Sequence, residues 1–124
     1  MPTEKRQILF VEMDKQSQEL VTLALALAGY EIVIANNFAE GLRLAKQQEF
    51  ELYILDNWLP DGSGIELCRR IREFNSQTPI LFYSATGYKD ETQDARIDDA
   101  QEYLLKPIEP KDVREAVARL LPKN

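Results

Sequence analysis

The stretch formed by residues 53–64 constrains the fold of this chain more than any other part of the sequence. It begins with a short apolar run, Tyr53-Ile54-Leu55, which predicts a strand buried on both faces of a sheet. Asp56 ends the run, and a turn rich in proline and glycine follows at once. Ser63 with Glu66 three residues later is a capping-box pattern, so a helix is predicted to begin there. Asp56 is therefore placed at the carboxyl end of a central strand, where open α/β sheets bind ligands.

Short apolar runs alternate with helical patterns along the rest of the chain, which predicts an α/β fold. Besides the central strand, strands are predicted at residues 8–11, 30–35, 80–83 and 102–105. A helical pattern follows each strand, although the one at residues 88–99 has few apolar positions and predicts a weakly anchored helix. The order predicts a five-stranded doubly wound parallel sheet with right-handed crossovers and helices on both faces, a three-layer sandwich.

Local signals predict where helices end and which sides they bury. Gly29 is predicted to end the first helix as its C′ residue, and Pro110 to stand at the first position of the last. Asn37 with Glu40 predicts a cap for the second helix. The positions expected to face the core are Leu20, Leu23, Ala24, Leu27 and Ala28 in the first helix, and Val113, Val117, Leu120 and Leu121 in the last.

Length and charge limit the classes of protein that the chain can represent. At 124 residues it is predicted to be one domain, residues 1–124, that needs no disulfide for stability. The net charge of −6 argues against nucleic acid or an anionic membrane surface as a direct partner. The absence of histidine excludes histidine catalysis, and a single cysteine, Cys68, with no signal-peptide pattern predicts a cytoplasmic protein. The longest apolar stretch, residues 23–28, is too short to span a membrane.

Polar side chains stand where four of the predicted strands end, and they are Glu12 and Asp14, Asp56, Ser84 and Lys106. Each alone has an ordinary interpretation as a loop, capping, turn or surface residue. Parallel strands, however, bring their carboxyl ends to one edge of the sheet. There carboxylates could hold a hard cation such as Mg²⁺, while a lysine and a hydroxyl bind phosphoryl oxygens. Asp56 could then act as the nucleophile and form an acyl phosphate.

Together these residues resemble the receiver domain of the response regulators of two-component signalling. The resemblance covers residues 8–121 and is carried by the acid after the first strand and by four motifs: Leu55-Asp56, Leu59-Pro60-Asp61-Gly62, Ser84-Ala85, and Tyr103 with Lys106-Pro107. It implies a flavodoxin-like three-layer sandwich and makes residues 1–124 a single receiver domain.

The resemblance also implies a role for each residue of the predicted site. Asp56 would be the phosphoacceptor, Lys106 the phosphate-binding lysine, and Ser84 the switch hydroxyl. Tyr103 would be the aromatic switch residue. A cis peptide bond between Lys106 and Pro107, common in the family, would aim the lysine inward.

The implied Mg²⁺ site consists of Glu12, Asp56 and the backbone carbonyl of Trp58, and it departs from the family pattern at one position. The family usually has two adjacent acids after the first strand, whereas Met13 occupies the second place here. A thioether is a soft, uncharged ligand and cannot replace an oxygen ligand for Mg²⁺, so a weakened metal site is expected. Asp14 lies one position further on and is expected to face away from the site. A second departure, Asp99 where a glycine is common, is expected to cost little.

Several functional hypotheses follow. The first is a phosphorylation-dependent switch in a phosphorelay, in which Asp56 accepts a phosphoryl group from a partner histidine kinase or phosphotransfer protein. The second is a degenerate receiver that binds protein partners without phosphorylation, a hypothesis that depends on Met13. A nucleotide- or flavin-binding domain is disfavoured because its phosphate-binding loop after the first strand should be rich in glycine, serine or threonine. A metal-dependent hydrolase would leave Asp56 without a role.

The resemblance implies partners as well as chemistry. Any enzymatic activity is expected to be confined to phosphorylation and dephosphorylation of the chain's own Asp56. A downstream protein or effector domain is the expected target of the signal. Homodimerisation is expected through the face formed by the fourth predicted helix, the fifth strand and the last helix. Neither nucleic acid nor a membrane is expected to bind this chain directly.

Overall fold

Five parallel strands form the central sheet in the computed structural model, which describes residues 6–84, 102–105 and 108–121. Across the sheet their order is β2-β1-β3-β6-β7. Their bounds are β1 Gln7–Val11, β2 Glu31–Ala35, β3 Leu52–Leu55, β6 Ile80–Ser84 and β7 Glu102–Leu105. A small antiparallel hairpin of β4 (Trp58–Leu59) and β5 (Gly62–Ser63) lies between β3 and the next helix. The strand that ends before Asp56 is thus central, as predicted.

Helices cover both faces of this sheet, and their bounds are α1 Lys15–Leu27, α2 Phe38–Gln47, α3 Gly64–Arg72 and α4 Pro110–Leu120. Because successive strand residues point to opposite faces, β1 contributes to two separate core clusters. Ile8 and Phe10 pack in the cluster that contains residues of α1 and α4. Leu9 and Val11 pack in the cluster that contains residues of α2 and α3. The predicted doubly wound three-layer sandwich is confirmed. No helix in the described ranges has the length and apolar character needed to cross a membrane.

The predicted buried side of α1 is observed only in part: Ala24 is buried and Leu20 packs against a core cluster, whereas the other predicted positions are exposed. Val21, Leu25 and Ala24 are buried, but Leu23 is 62% exposed and Leu27 is 75% exposed. The prediction was wrong at Leu23, Leu27 and Ala28 because α1 carries leucine, valine or alanine on nearly every side of its second half, so periodicity alone did not select a face. A buried polar residue, Gln18, marks the true face. The predicted stripe of α4 is confirmed, since its four residues all pack in one core cluster.

The predicted helix ends are also observed. Gly29 has a φ of 97°, and its N–H donates to Ala26 O, which is a C-terminal motif that favours glycine. Ser63 accepts a hydrogen bond from Glu66 N at 3.0 Å. Pro110 opens α4. The helix predicted at residues 88–99, Asp99, Lys106 and Pro107 lie outside the described residues, as does the side chain of Ser84.

Candidate active site

Glu12 and Asp56 lie side by side at the carboxyl edge of the sheet. Parallel pairing of β1 with β3 sets Val11 opposite Leu55, so the next residue of each strand reaches the same level. Asp56 N donates to Val11 O at 3.0 Å, and Glu12 N donates to Ala35 O at 2.9 Å. The exposed fraction is 1% for Glu12 and 4% for Asp56. The sheet thus brings two acidic residues together, as the sequence predicts.

The buried polar residues of the described chain are all found at this edge: Glu12, Gln18, Asp56 and Asn57. Burying a polar group costs free energy unless hydrogen bonds compensate, about 1–3 kcal/mol for an unsatisfied group. Such a concentration at one place, in a core that is otherwise apolar, is typical of a functional site.

Glu12 is held by the loop and helix that follow it. Its Oε2 accepts a hydrogen bond from Asp14 N at 3.0 Å, and its carbonyl accepts one from Gln18 Nε2 at 2.6 Å. Gln18 Nε2 also donates to Asn36 Oδ1 at 2.8 Å, which connects β1, α1 and the residue after β2. The role of Gln18 was not predicted from the sequence. The detectable signal is a polar residue on the packed side of α1, between Asp14 and Val21.

Asn57 fixes the loop after Asp56 and was also missed from sequence. Its Oδ1 accepts from Ile65 N at 3.2 Å, and its carbonyl accepts from Gly64 N at 3.0 Å. Gly64 allows this close approach, since a Cβ there would lie 2.4 Å from the carbonyl oxygen of Asp56. Asparagine after a strand is a loop-forming signal, but its partners become visible only in the fold.

Asp14 and Asp61 each hold a helix N-terminus. Asp14 Oδ2 accepts from Ser17 N at 2.9 Å and caps α1. The carboxylate of Asp61 accepts from Phe38 N at 2.7 Å and from Ala39 N at 3.0 Å, which ties the loop after β3 to the start of α2. Desolvation raises the pKa of Asp61, but the hydrogen bonds from Phe38 and Ala39 outweigh it and hold the pKa below its usual value.

Two large hydrophobic side chains are exposed next to the acidic pair. Met13, directly after Glu12, is 53% exposed, and Trp58, two residues after Asp56, is 56% exposed. Trp58 N lies 3.4 Å from Asp56 Oδ1. The side chain of Met13 is a thioether, so it brings neither a charge nor an oxygen donor to the position that follows Glu12.

The donor set at this edge fits a hard cation, with few anionic ligands. Glu12 and Asp56 are two buried carboxylates, and a backbone carbonyl such as that of Trp58 is a further oxygen donor of the kind that Mg²⁺ accepts. Among the residues that the structure describes, no group of three or more histidine, cysteine or acidic side chains could hold a metal. A site built here would depend on two carboxylates, one backbone carbonyl and water for its remaining ligands.

Strands β6 and β7 bring the predicted switch residues towards the same edge. Ser84 is the last residue of β6 and pairs in register with Leu105. The ring of Tyr103 stacks on that of Phe82, with centroids 5.4 Å apart and an interplanar angle of 13°. Tyr103 is half-buried and packs against the core cluster that contains Leu55. The position of Lys106 lies outside the described residues.

Comparison with known families and sequences identifies one family for this chain. The family described as the response regulator receiver domain matches residues 8–118. The phosphate regulon transcriptional regulatory protein PhoB of Pseudomonas aeruginosa is 36% identical over 115 residues, which cover 91% of this chain and 49% of PhoB. The response regulator ArlR of Staphylococcus epidermidis is 37% identical over 116 residues, 91% of this chain and 50% of ArlR. The chain spans about half the length of these curated relatives.

Solved structures give the same answer for the fold. A putative response regulator from Chloroflexus aurantiacus is 30% identical with a TM-score of 0.88, and the match covers 97% of this chain and 100% of that one. The chemotaxis response regulator CheY4 of Vibrio cholerae is 26% identical with a TM-score of 0.88, over 95% of this chain and 100% of CheY4. The backbone described above is therefore similar to that of receiver domains throughout its length.

Proposed function

The chain belongs to the family of response regulator receiver domains, and on that premise we propose that it is a signalling switch that accepts a phosphoryl group on Asp56. The observation that supports this most is the pairing of Asp56 with Glu12 at the carboxyl edge of β3 and β1. Asp56 is the nucleophile: one carboxylate oxygen forms a bond to phosphorus, and the bond from phosphorus to the donor breaks. The product is an acyl phosphate.

Each surrounding residue has a proposed role in this transfer. Glu12, Asp56 and the carbonyl of Trp58 would hold Mg²⁺. The chemistry that Mg²⁺ supplies when bound is neutralisation of charge on the phosphoryl oxygens. Lys106 is proposed to bind a phosphoryl oxygen as a cation, and Ser84 to donate a hydrogen bond to another. Movement of Ser84 towards the phosphoryl group would change the packing of Tyr103 against Phe82.

The proposed partners follow from the family. The phosphoryl donor is the phosphohistidine of a histidine kinase or of a phosphotransfer protein, whose imidazole leaves when the phosphorus–nitrogen bond breaks. The acceptor of the signal is a downstream protein or an effector domain. We also propose that residues 1–124 form one receiver domain that acts in the cytoplasm. Its dimer face would include β7 and α4, where Arg119 and Glu102 form an exposed ion pair.

Phosphorylation of the purified chain tests this proposal. The protein is incubated with a small-molecule phosphodonor and Mg²⁺, and its intact mass is measured over time. We expect the mass of one phosphoryl group in the wild type and in Asp61→Asn, and none in Asp56→Asn. Asp61 is the matched control because it lies in the same loop but is committed to the N-terminus of α2. A phosphoryl group retained by Asp56→Asn would overturn the proposal.

A degenerate receiver remains the second candidate, and Met13 is the observation that favours it. Met13 leaves the described site without a third acidic side chain. In this alternative the chain binds its partners without efficient phosphorylation. A wild type that neither binds Mg²⁺ nor takes up phosphate, next to a Met13→Asp variant that does both, would establish the degenerate receiver.

A further inference from the structure

Met13 is the exposed thioether of the site, and its surroundings make it accessible to oxidants. It is 53% exposed, although methionine is usually buried where it fills core space. The other sulfur-containing residues of the chain are Met1 and Cys68, and Cys68 is only 2% exposed. A hydroperoxide in solution can therefore reach the Met13 sulfur more readily than the Cys68 thiol.

Met13 directly follows the buried Glu12, and a local hydrogen bond fixes the backbone on both sides of it. Asp14 N donates to Glu12 Oε2 at 3.0 Å, so Met13 is the residue spanned by this closed turn. Its Cα lies about 3.8 Å from that of the buried Glu12, as for any consecutive residues. Glu12 is in turn level with Asp56 across β1 and β3. The flexible side chain of Met13 starts one residue from the proposed Mg²⁺ ligands.

Oxidation changes the ligand chemistry at this position. The sulfur attacks one oxygen of a hydroperoxide, the O–O bond breaks, and water or an alcohol leaves after proton transfer. Sulfur is oxidised by two electrons and the peroxide is reduced by two. The product, methionine sulfoxide, carries a polar oxygen in place of a soft thioether, and sulfoxide reductases reverse the change. Oxygen donors are the ligands that Mg²⁺ prefers.

We propose that Met13 is a redox modification site, and that its sulfoxide oxygen supplies the third side-chain oxygen donor that the site lacks. Oxidation then strengthens Mg²⁺ binding and speeds phosphorylation of Asp56, so that the switch responds to peroxide as well as to its phosphodonor. This inference rests on the proposed function, since it assigns Met13 to the Mg²⁺ site of Asp56. The neutral sulfoxide should do less than a second carboxylate would.

A calorimetric Mg²⁺ titration of the intact chain, before and after brief treatment with hydrogen peroxide, tests the inference. Peptide masses establish that Met13 has gained one oxygen. We expect the oxidised wild type to bind Mg²⁺ roughly threefold to tenfold more tightly, and the gain to disappear after treatment with a methionine sulfoxide reductase. Met13→Gln, which carries a permanent neutral oxygen, should bind Mg²⁺ more tightly than the reduced wild type without any peroxide.

Met13→Leu is the matched control, because it keeps the apolar volume but cannot be oxidised. Peroxide-treated Met13→Leu still contains Met1, Cys68 and Trp58, so it isolates the effect of Met13. Its Mg²⁺ affinity should not respond to peroxide. The inference is overturned if Met13 resists peroxide that oxidises free methionine, or if oxidised Met13 leaves the Mg²⁺ affinity unchanged or lower.

Phosphorylation by a small-molecule phosphodonor separates this inference from the proposed function. If oxidation tightens Mg²⁺ binding but neither form takes up phosphate, Met13 is a redox-controlled part of the Mg²⁺ site, whereas its effect on phosphorylation and the proposed function both fail. If both forms are phosphorylated on Asp56 at the same rate with the same Mg²⁺ affinity, the proposed function stands and the Met13 inference fails.

Discussion

Met13 is the residue whose replacement should change the chemistry of the site most. Met13→Asp adds an anionic oxygen next to Glu12, which supplies both a ligand and a charge for Mg²⁺. We expect tighter Mg²⁺ binding and faster phosphorylation, by about tenfold or more, since ~1.4 kcal/mol corresponds to that factor. Trp58, two residues from Asp56 and more than half exposed, provides the fluorescence signal for the titration. Equal Mg²⁺ affinity in the variant and the wild type would remove Met13 from the metal site.

Gly64 is a second residue whose replacement should have a measurable effect on both stability and phosphorylation. A Cβ at this position would lie 2.4 Å from Asp56 O and 3.0 Å from Asn57 Cα, both backbone atoms that cannot rotate away. Gly64→Ala should therefore destabilise the chain by about 1–3 kcal/mol and move Asp56 enough to slow its phosphorylation. Urea unfolding and intact-mass kinetics measure the two effects.

Gly29→Ala is the control for Gly64→Ala. Gly29 has a φ of 97° but no atom within 4 Å of an added Cβ, so alanine there is strained without a clash. We expect it to lower the free energy of unfolding by about 1 kcal/mol and to leave the phosphorylation rate unchanged. Equal phosphorylation rates in Gly64→Ala and the wild type would show that the close approach to Asp56 does not position it.

At the scale of elements, Asp61 connects the loop after β3 with helix α2. Its pKa is held below the usual value by the N–H groups of Phe38 and Ala39, so its contribution to stability is present above the pKa of an unfolded aspartate, about 4. The contribution is lost as the pH falls through the lower pKa of the folded state. Asp61→Asn should therefore be less stable than the wild type at neutral pH, and the difference should shrink below about pH 4.

Urea unfolding across this pH range checks the prediction for Asp61. Glu19→Gln, at an exposed position of α1, changes the net charge by the same amount and serves as the control. A difference between Asp61→Asn and the wild type that stays constant from neutral to acidic pH would contradict the assigned hydrogen bonds.

The acidic pair, the Asp61 loop and helix α1 show which features could be predicted from the sequence and which could not. The acidic pair was predictable because parallel strands bring their carboxyl ends together, so Glu12 and Asp56 needed only the strand assignments. Asp61 lies in the predicted turn rich in proline and glycine, but its partners at the start of α2 lie 22 and 23 residues away. Contacts of that separation depend on how α2 docks on the sheet. The prediction of the buried face of α1 was partly wrong for a different reason, because apolar residues are found on nearly every side of the second half of that helix.

At the scale of the whole molecule, the buried polar residues of the described ranges are concentrated at one edge of the sheet, and the rest of the described core is apolar. The sheet topology assembles the site from the residue after β1, from α1 and from the loop after β3, which contribute Glu12, Gln18, Asp56 and Asn57. Tyr103 on β7 stacks on Phe82 of β6, and both rings pack on the face of the sheet that α2 and α3 cover. If Asp56 is phosphorylated as proposed, we expect a change in the packing of Tyr103 against Phe82.

Direct identification of the phosphorylated residue tests this account most closely. The phosphorylated wild type is reduced with borohydride, which converts an aspartyl phosphate into homoserine, and the digested peptides are sequenced by mass spectrometry. The account predicts homoserine at position 56 and at no other aspartate, and none in a sample without phosphodonor. Homoserine at Asp14 or Asp61, or a phosphoryl group retained on a serine or threonine, would contradict it.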